Sequence, residues 1–560
     1  TVWFSRKFRN KELTGILRGR FSMSKEKFRT SFLFFVSILC TVFLGFYILS
    51  ASADIVYSDY IRLTNSYLGE PFSFHDLLTK DILTRIPVSF LFREINIAFF
   101  HYSITFDRFL GLLGLFLTSI PLLLFMAKRR IGGFFSVAIL LIFYSLNKWE
   151  MLLNGSGYAH FLSFALFYLF FYLLSERVGK GSSLLSLSVF PFLFLLTGGP
   201  YAIAVYGATI LSLFFLFLAG KIRDKRGSLV LLLSSFVSTF LYFLSNHYAI
   251  YEYAGAKSIS LKEVLLTKMT FVLKFFGFGF SSLLFSGENL EEWLSSGAVQ
   301  GKQLFLLGGL ILLFFLLMAL FFLKDLFFGE KDSNDDCIPG KEKDKSLTGL
   351  FPALLLLHGL LSFALVFLSR YIFLRPEYAV QSRYALQYQS ALIGALLLLY
   401  LNTGQQEAGV EKGRERVKLE GNIEGNIEKK RGVKRKPEDR EKDENGERVE
   451  RIEFAKATKY VENRKKAGRK AEPRRALLRI ISVGITLLFL GGTLHTAKTE
   501  LLKAPYRKLH YETMLHSVNR IEEMDEEELE RLYEYRHGKE RILKAFSILK
   551  ERKLNCFYGK

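Results

Sequence analysis

The sequence predicts an all-α, polytopic membrane protein of about eleven transmembrane helices, with interfacial helices in its outer loops and a small helical C-terminal tail. Three observations carry that expectation. Half of the residues are hydrophobic, 15% are aromatic and 57 are Phe. Long Leu/Phe runs approach the roughly 20 apolar residues that a crossing helix requires. Charge is gathered into a few blocks between those runs, whereas a soluble chain of 560 residues would divide into several evenly charged domains.

In chain order the expected spans are 31–50, 109–126, 133–146, 159–175, 183–198, 201–220, 227–246, 303–323, 349–368, 389–401 and 477–496. The first, SFLFFVSILCTVFLGFYILS, is too long for a signal-peptide core and reads as an uncleaved span, with SASA at 50–53 its one cleavage-like feature. The chain opens on Thr1, so its natural start is expected upstream. Cys40, Cys337 and Cys556 lie far apart and suggest neither a disulfide framework nor a metal site.

Basic segments set the expected orientation. Residues 1–30 form a basic arm with nine Lys/Arg against two Asp/Glu, and AKRR, ERVGK and KIRDKR follow the second, fourth and sixth spans. Basic flanks mark the cytoplasmic side, which places the N-terminus inside. Residues 261–285 are apolar but carry Lys262, Lys268 and Lys274, a pattern better suited to an interfacial or re-entrant segment than to a span. The count is then eleven and the C-terminus lies outside. The core is 31–401, with outer loops 51–108, 247–302 and 369–388.

The block 402–475 holds 23 Lys/Arg and 16 Asp/Glu and almost no apolar residues. It cannot bury a core and is expected to be a disordered cytoplasmic insert. After the last span (476–496), the outer tail 497–560 reads as two amphipathic helices around Gly538, with Leu529, Leu532, Ile542, Leu543, Phe546 and Leu549 as apolar stripes. The net charge of +22 comes without any zinc-finger, helix-turn-helix or aromatic RNA-binding pattern, so no nucleic-acid partner is expected.

Polar groups survive near lipid when they are paired or line a cavity. Those at the outer ends of spans are therefore the informative ones. The first outer loop holds Asp54, Asp59, Arg62, Arg85, Arg93 and Glu94, and 85–102 reads as an interfacial amphipathic helix around an Arg93–Glu94 pair. NKWEMLLNGSGYAH (147–160) supplies Glu150 and His160, and its Gly155 and Gly157 allow backbone conformations closed to other residues. TGGP at 197–200 breaks an apolar run. SRYIFLRPEYAVQSRYALQYQ (369–389) places Arg370, Arg375 and Arg383 outside, against the positive-inside bias. Arginine forks suit phosphate or carboxylate. Acids and arginines meeting beside a bilayer would fit a lipid-linked anionic substrate, or simply pair with one another.

The order of DILTRIPVSFLF, NKWEMLLNGSGYAHFLSFALF, LLTGGPY, SRYALQYQ and ERILKAFSILKERKLNCF resembles a family of bacterial multispanning proteins grouped with GT-C-type glycosyltransferases. The resemblance covers most of the chain outside 402–475. It implies a sugar donor carried on polyprenyl phosphate, a cell-envelope glycan acceptor, and a place in the bacterial plasma membrane among its lipids. It also implies an acid in the first outer loop as general base, best matched by Asp59 and next by Asp54. GT-C first loops often carry two closely spaced acids, whereas four residues separate these two. Arg383, with Arg375, Arg85 and Arg370, would hold the departing phosphate, and Glu150 and His160 would hold sugar hydroxyls. No metal ligands are read; a divalent cation is the only cofactor left open. No Walker-type lysine or nucleotide-binding glycine loop is present. A transporter or flippase, and a non-catalytic assembly partner docking through its tail, are the competing expectations. Polar-poor spans, in which His358 is the main ionisable residue, weigh against transport.

Overall fold

The structure is a computed structural model that describes residues 25–68, 87–245, 257–328, 345–403, 444–535 and 538–559. It is helical, with no strand among the described residues. Residues 1–398 and 488–560 form one compact unit, and 399–487 form a second.

The first unit opens with α1 (Lys25–Ala51), followed by the short α2 (Asp59–Tyr67), α3 (Pro87–Phe100) and the long α4 (Ile104–Lys128). Next come α5 (Gly133–Phe143), α6 (Trp149–Leu153), α7 (Tyr158–Lys180), α8 (Phe190–Thr197), α9 (Ala202–Leu218) and α10 (Lys225–Ser245). Helices α4 and α7 pack closely because Gly111 and Gly114 let the α4 backbone approach Tyr158, Phe161 and Leu162. Among the described residues ten helices are long and apolar enough to cross a membrane, matching ten of the eleven expected spans. The chain is a multi-pass membrane protein.

The exception is 183–198. Only Leu185–Thr197 is helical there, about 20 Å at 1.5 Å per residue. Pro191 opens α8, and Gly199 ends it at φ 50°, a conformation that Gly adopts without steric cost. The segment nonetheless links opposite ends of the bundle. The Leu184 N–H donates to Asp224 at one end, and the Thr197 carbonyl accepts from Ser163 at the other.

Residues 261–281 form α11 (Leu261–Thr267) and α12 (Met269–Ser281), bent by 95° at Lys268. Lys262, Lys268 and Lys274 are all exposed, as a broken or re-entrant segment allows. After α13 (Gly287–Ser295) come the spans α14 (Gly301–Phe328), α15 (Leu350–Arg370) and α16 (Ser382–Thr403).

The last span belongs to α17 (Glu444–Ser517), whose earlier part lies in the second unit. Residues 444–475 are therefore helical, unlike the expected disordered insert; 404–443 lie outside the described residues. A charge-rich stretch of Ala, Glu, Lys and Arg cannot build a core, but it has good helix formers and can extend a helix that a span has already nucleated. The tail is two helices, α18 (Glu526–Leu532) and α19 (Lys539–Glu551), around Gly538. Leu529, Ile542, Phe546 and Leu549 are buried, while Leu532 and Leu543 are half-buried.

The tail lies on the loop that follows α1: Asn65 donates to Arg541 O (2.7 Å), Arg552 to Leu68 O (3.0 Å) and the Asn555 N–H to His101 O (2.7 Å). This end of the bundle is called the tail end, and the opposite one the basic-loop end. Helix α3 differs from its expected arrangement. Arg93 and Asn96 face inward, whereas Leu91, Ile95, Phe99 and Phe100 are exposed, so its apolar side suits lipid. Arg93 lies over the Tyr67 ring at 4.3 Å.

Candidate functional site

Four sequence segments meet at the tail end. The first is YSDY (57–60), where each residue is tied to a different element. The Tyr57 hydroxyl accepts from Tyr511 (3.0 Å) on α17, and the Ser58 N–H donates to the Tyr533 carbonyl (2.8 Å) of the tail. Asp59 accepts from Asn154 (3.5 Å), and Tyr60 donates to Asp107 on α4. Burial, reinforced by Asp107, holds the Tyr60 phenol well above its ordinary pKa, so it remains a donor. Ser58 has φ 50° and ψ −126°, a conformation that costs a non-glycine residue ~1–3 kcal/mol.

The second segment is 147–160. Neither Gly155 nor Gly157 takes up the left-handed backbone that glycine allows. Gly155 is needed for close approach: a Cβ there would stand 2.6 Å from the Tyr60 hydroxyl. A Cβ on Gly157 would likewise stand 2.6 Å from the Met151 carbonyl.

The third segment, 382–389, clasps the second. The Ser382 hydroxyl donates to Asn147 O (2.6 Å), and Arg383 forms an ion pair with Glu150. Gln389 donates to Ile142 O (2.7 Å) and to the Ser145 hydroxyl (2.6 Å), closing the end of α5. Lys148, fully buried, donates to the carbonyls of Phe143 (2.7 Å) and Ser145 (3.0 Å). These buried donors satisfy carbonyls left over where the helix stops.

The fourth is TGGPY. Tyr201 meets His160 edge-on at 4.6 Å. With the Gln387 amide oriented to satisfy its neighbours, Tyr201 donates to it (3.3 Å), and Gln387 donates to the Arg383 and Tyr384 carbonyls. Arg370 donates to the Tyr384 hydroxyl (2.6 Å). The 147–160 segment thus reaches Asp59 through Asn154 (3.5 Å) and Arg383 through Glu150. His160 Nδ1 and Arg383 Nε are buried atoms with no protein hydrogen-bond partner.

No family model, curated protein or solved structure matches this chain. The site must be read from its own atoms.

Of the candidate residues, Asp59, Glu150, His160, Arg370 and Arg383 come together. Arg375 is exposed on the neighbouring loop, and Arg85 lies outside the described residues. Asp54 is occupied otherwise. Its carboxylate accepts from Ser103 Oγ (2.6 Å), the Ile104 N–H (2.7 Å) and Asn555 (3.2 Å), at the start of α4, where the helix dipole favours an anion. Among the described residues no group of three or more His, Cys, Asp or Glu is placed to hold a metal ion.

Sequence reasoning passed over several participants. Asp107 and Arg108, adjacent charges in the first turn of a span, are both buried; Arg108 donates to Leu153 O (2.7 Å) and Ala53 O (2.8 Å). Arg507 lies over Trp149, 3.3 Å from the ring centroid, and pairs with Glu288 and the fully buried Glu500. The Glu500–Lys503–Arg507 spacing, one helix face, was the available signal.

Chemically, the cluster combines a carboxylate able to accept a proton with guanidinium groups suited to an anion, flanked by phenols and an imidazole beside lipid.

Proposed function

We propose that the protein is a membrane-embedded, GT-C-type inverting glycosyltransferase. It takes a sugar from a polyprenyl-phosphate donor and passes it to a cell-envelope glycan on the outer face of the plasma membrane, with the N-terminus inside. The observation that carries this reading is that the 147–160 segment meets Asp59 through Asn154 and Arg383 through Glu150, which links an acid of the first loop to an arginine of 382–389.

Asp59 takes the proton of the acceptor hydroxyl as it attacks the anomeric carbon, and the lipid phosphate departs toward Arg383 and Arg370. The Arg383–Glu150 pair is partly open to solvent, with side-chain exposures of 41% and 24%. An incoming phosphate can therefore engage the guanidinium without a buried charge being stranded. Glu150 and His160 are placed to hold sugar hydroxyls. The tail buries its apolar residues within the protein, which disfavours the alternative of a free docking unit.

The test is envelope glycan composition, by mass spectrometry, in a deletion strain carrying wild-type protein or Asp59→Asn at equal membrane level. Wild type should restore a missing sugar, and the variant should lower it about 100-fold or more, the usual contribution of a general base. An unchanged glycan on deletion would remove the transferase reading altogether.

A further inference from the structure

We infer that the C-terminal tail is a positioning strap for Asp59, acting through the backbone of Ser58. The inference rests on the reading of Asp59 as the reacting acid.

Ser58 sits directly before Asp59 at φ 50°, a region that L-residues other than Gly rarely enter. Such a conformation persists only where its surroundings over-determine it. Here the Ser58 N–H donates to the Tyr533 carbonyl at 2.8 Å, so the strained residue is held by the tail. Tyr533 is itself fixed: its ring is fully buried and its hydroxyl meets Ser517 (2.8 Å) and Met514 O (3.0 Å).

The far side of the same helix is held by the tail as well. Asn65 donates to Arg541 O, and Arg552 donates to the Leu68 carbonyl just past α2. Asn555 closes the arrangement, reaching Asp54 and the carbonyls of Tyr102 and His101. Helix α2 is thus gripped at both ends by the tail, at one end after α18 and at the other by α19 and the residue that follows it. Its other anchors include Tyr57 to Tyr511, Asp59 to Asn154 and Tyr60 to Asp107. The Tyr60 N–H donates to the Tyr57 carbonyl (3.0 Å) across Ser58 and Asp59, and the Tyr533 carbonyl is what the tail adds to that turn. Without the strap, the turn loses its tail partner, Ser58 relaxes toward negative φ, and the Asp59 carboxylate turns from Asn154.

A merely structural tail and a strap differ in what Ser58→Gly does. Gly enters positive φ freely, so Ser58→Gly removes the strain that the tail must hold. Full-length variants are compared in the deletion strain at equal membrane level, alongside Asp59→Asn. Arg552→Ala/Asn555→Ala should lower the restored sugar at least tenfold. Ser58→Gly alone should stay within twofold of wild type, and adding Ser58→Gly to the tail double variant should recover at least half of the lost product.

A second readout does not need activity. Asp59→Cys should react with a membrane-impermeant maleimide at least threefold faster in the Arg552→Ala/Asn555→Ala background. Unchanged labelling overturns the strap. So does a tail defect that Ser58→Gly leaves uncorrected, or full activity of the tail variant where Asp59→Asn is inactive. If Asp59→Asn is fully active while labelling accelerates, the strap stands as a structural device and the catalytic reading of Asp59 falls.

Discussion

At the basic-loop end, Lys128 and Arg129 pair with Glu176 on the neighbouring helix, and their side chains retain 30%, 20% and 11% of their exposure. Asp224 bonds the Leu184 and Gly227 N–H groups, and those backbone bonds hold its carboxyl below the usual range. At the tail end the charges go inside. Among the described residues, the buried Asp, Glu, Lys and Arg side chains are Arg93, Asp107, Arg108, Lys148 and Glu500, and all five lie there. Burying charge beside lipid is costly and is tolerated where partners are fixed in advance. One end carries charge as a surface that can satisfy insertion rules. The other end carries it as internal framework.

The largest test of this contrast is Arg507→Ala, which strands Glu500, a carboxylate with no exposure. Breaking a buried pair from one side costs about 3–5 kcal/mol, and thermal unfolding in detergent should show it. A loss below about 1 kcal/mol would mean that the tail-end charges are solvated after all.

Alkaline pH sharpens the comparison. Burial raises the phenols of Tyr57, Tyr60 and Tyr102 above 10, the last to about 12, and all three lie at the tail end. A raised folded pKa contributes stability that is complete below pH 10 and is lost as pH climbs through the folded value. Hydrogen exchange followed by mass spectrometry should therefore show 54–68 and 526–558 losing protection above pH 10 before 128–131 and 176–186. The reverse order would break the contrast.

The smallest effect is expected for Lys128→Ala. A partly exposed pair contributes about 0–1 kcal/mol, so the unfolding midpoint should barely move. A shift matching that of Arg507→Ala would make the two ends equivalent.

The fold class and ten spans were legible because lipid enforces long apolar runs, a signal written in consecutive residues. The length of 185–197 was not, since an apolar run does not show where Pro191 and Gly199 cut the helix. The site was half legible. Charged and aromatic residues at outer span ends were singled out, and Asp59, Glu150, His160 and Arg383 do converge. Their partners were hidden because many are carbonyls, as with Ser58 to Tyr533 and Lys148 to Phe143, and every residue type carries one. Asp54 shows the same gap from the other side: residue type reveals an acid but not whether its lone pairs are already taken.

The bond from Asn555 to Asp54 joins positions 501 residues apart. During synthesis at about 5–20 residues per second, the first loop must wait roughly 25–100 s for its last partner to leave the ribosome. Asp54, at the start of a span already inserted, stays incompletely bonded through that interval. A nascent chain stopped anywhere before Tyr533 would lack the bonds that the tail gives to both Ser58 and Asp54. Completion of the first loop therefore waits on translation through Asn555.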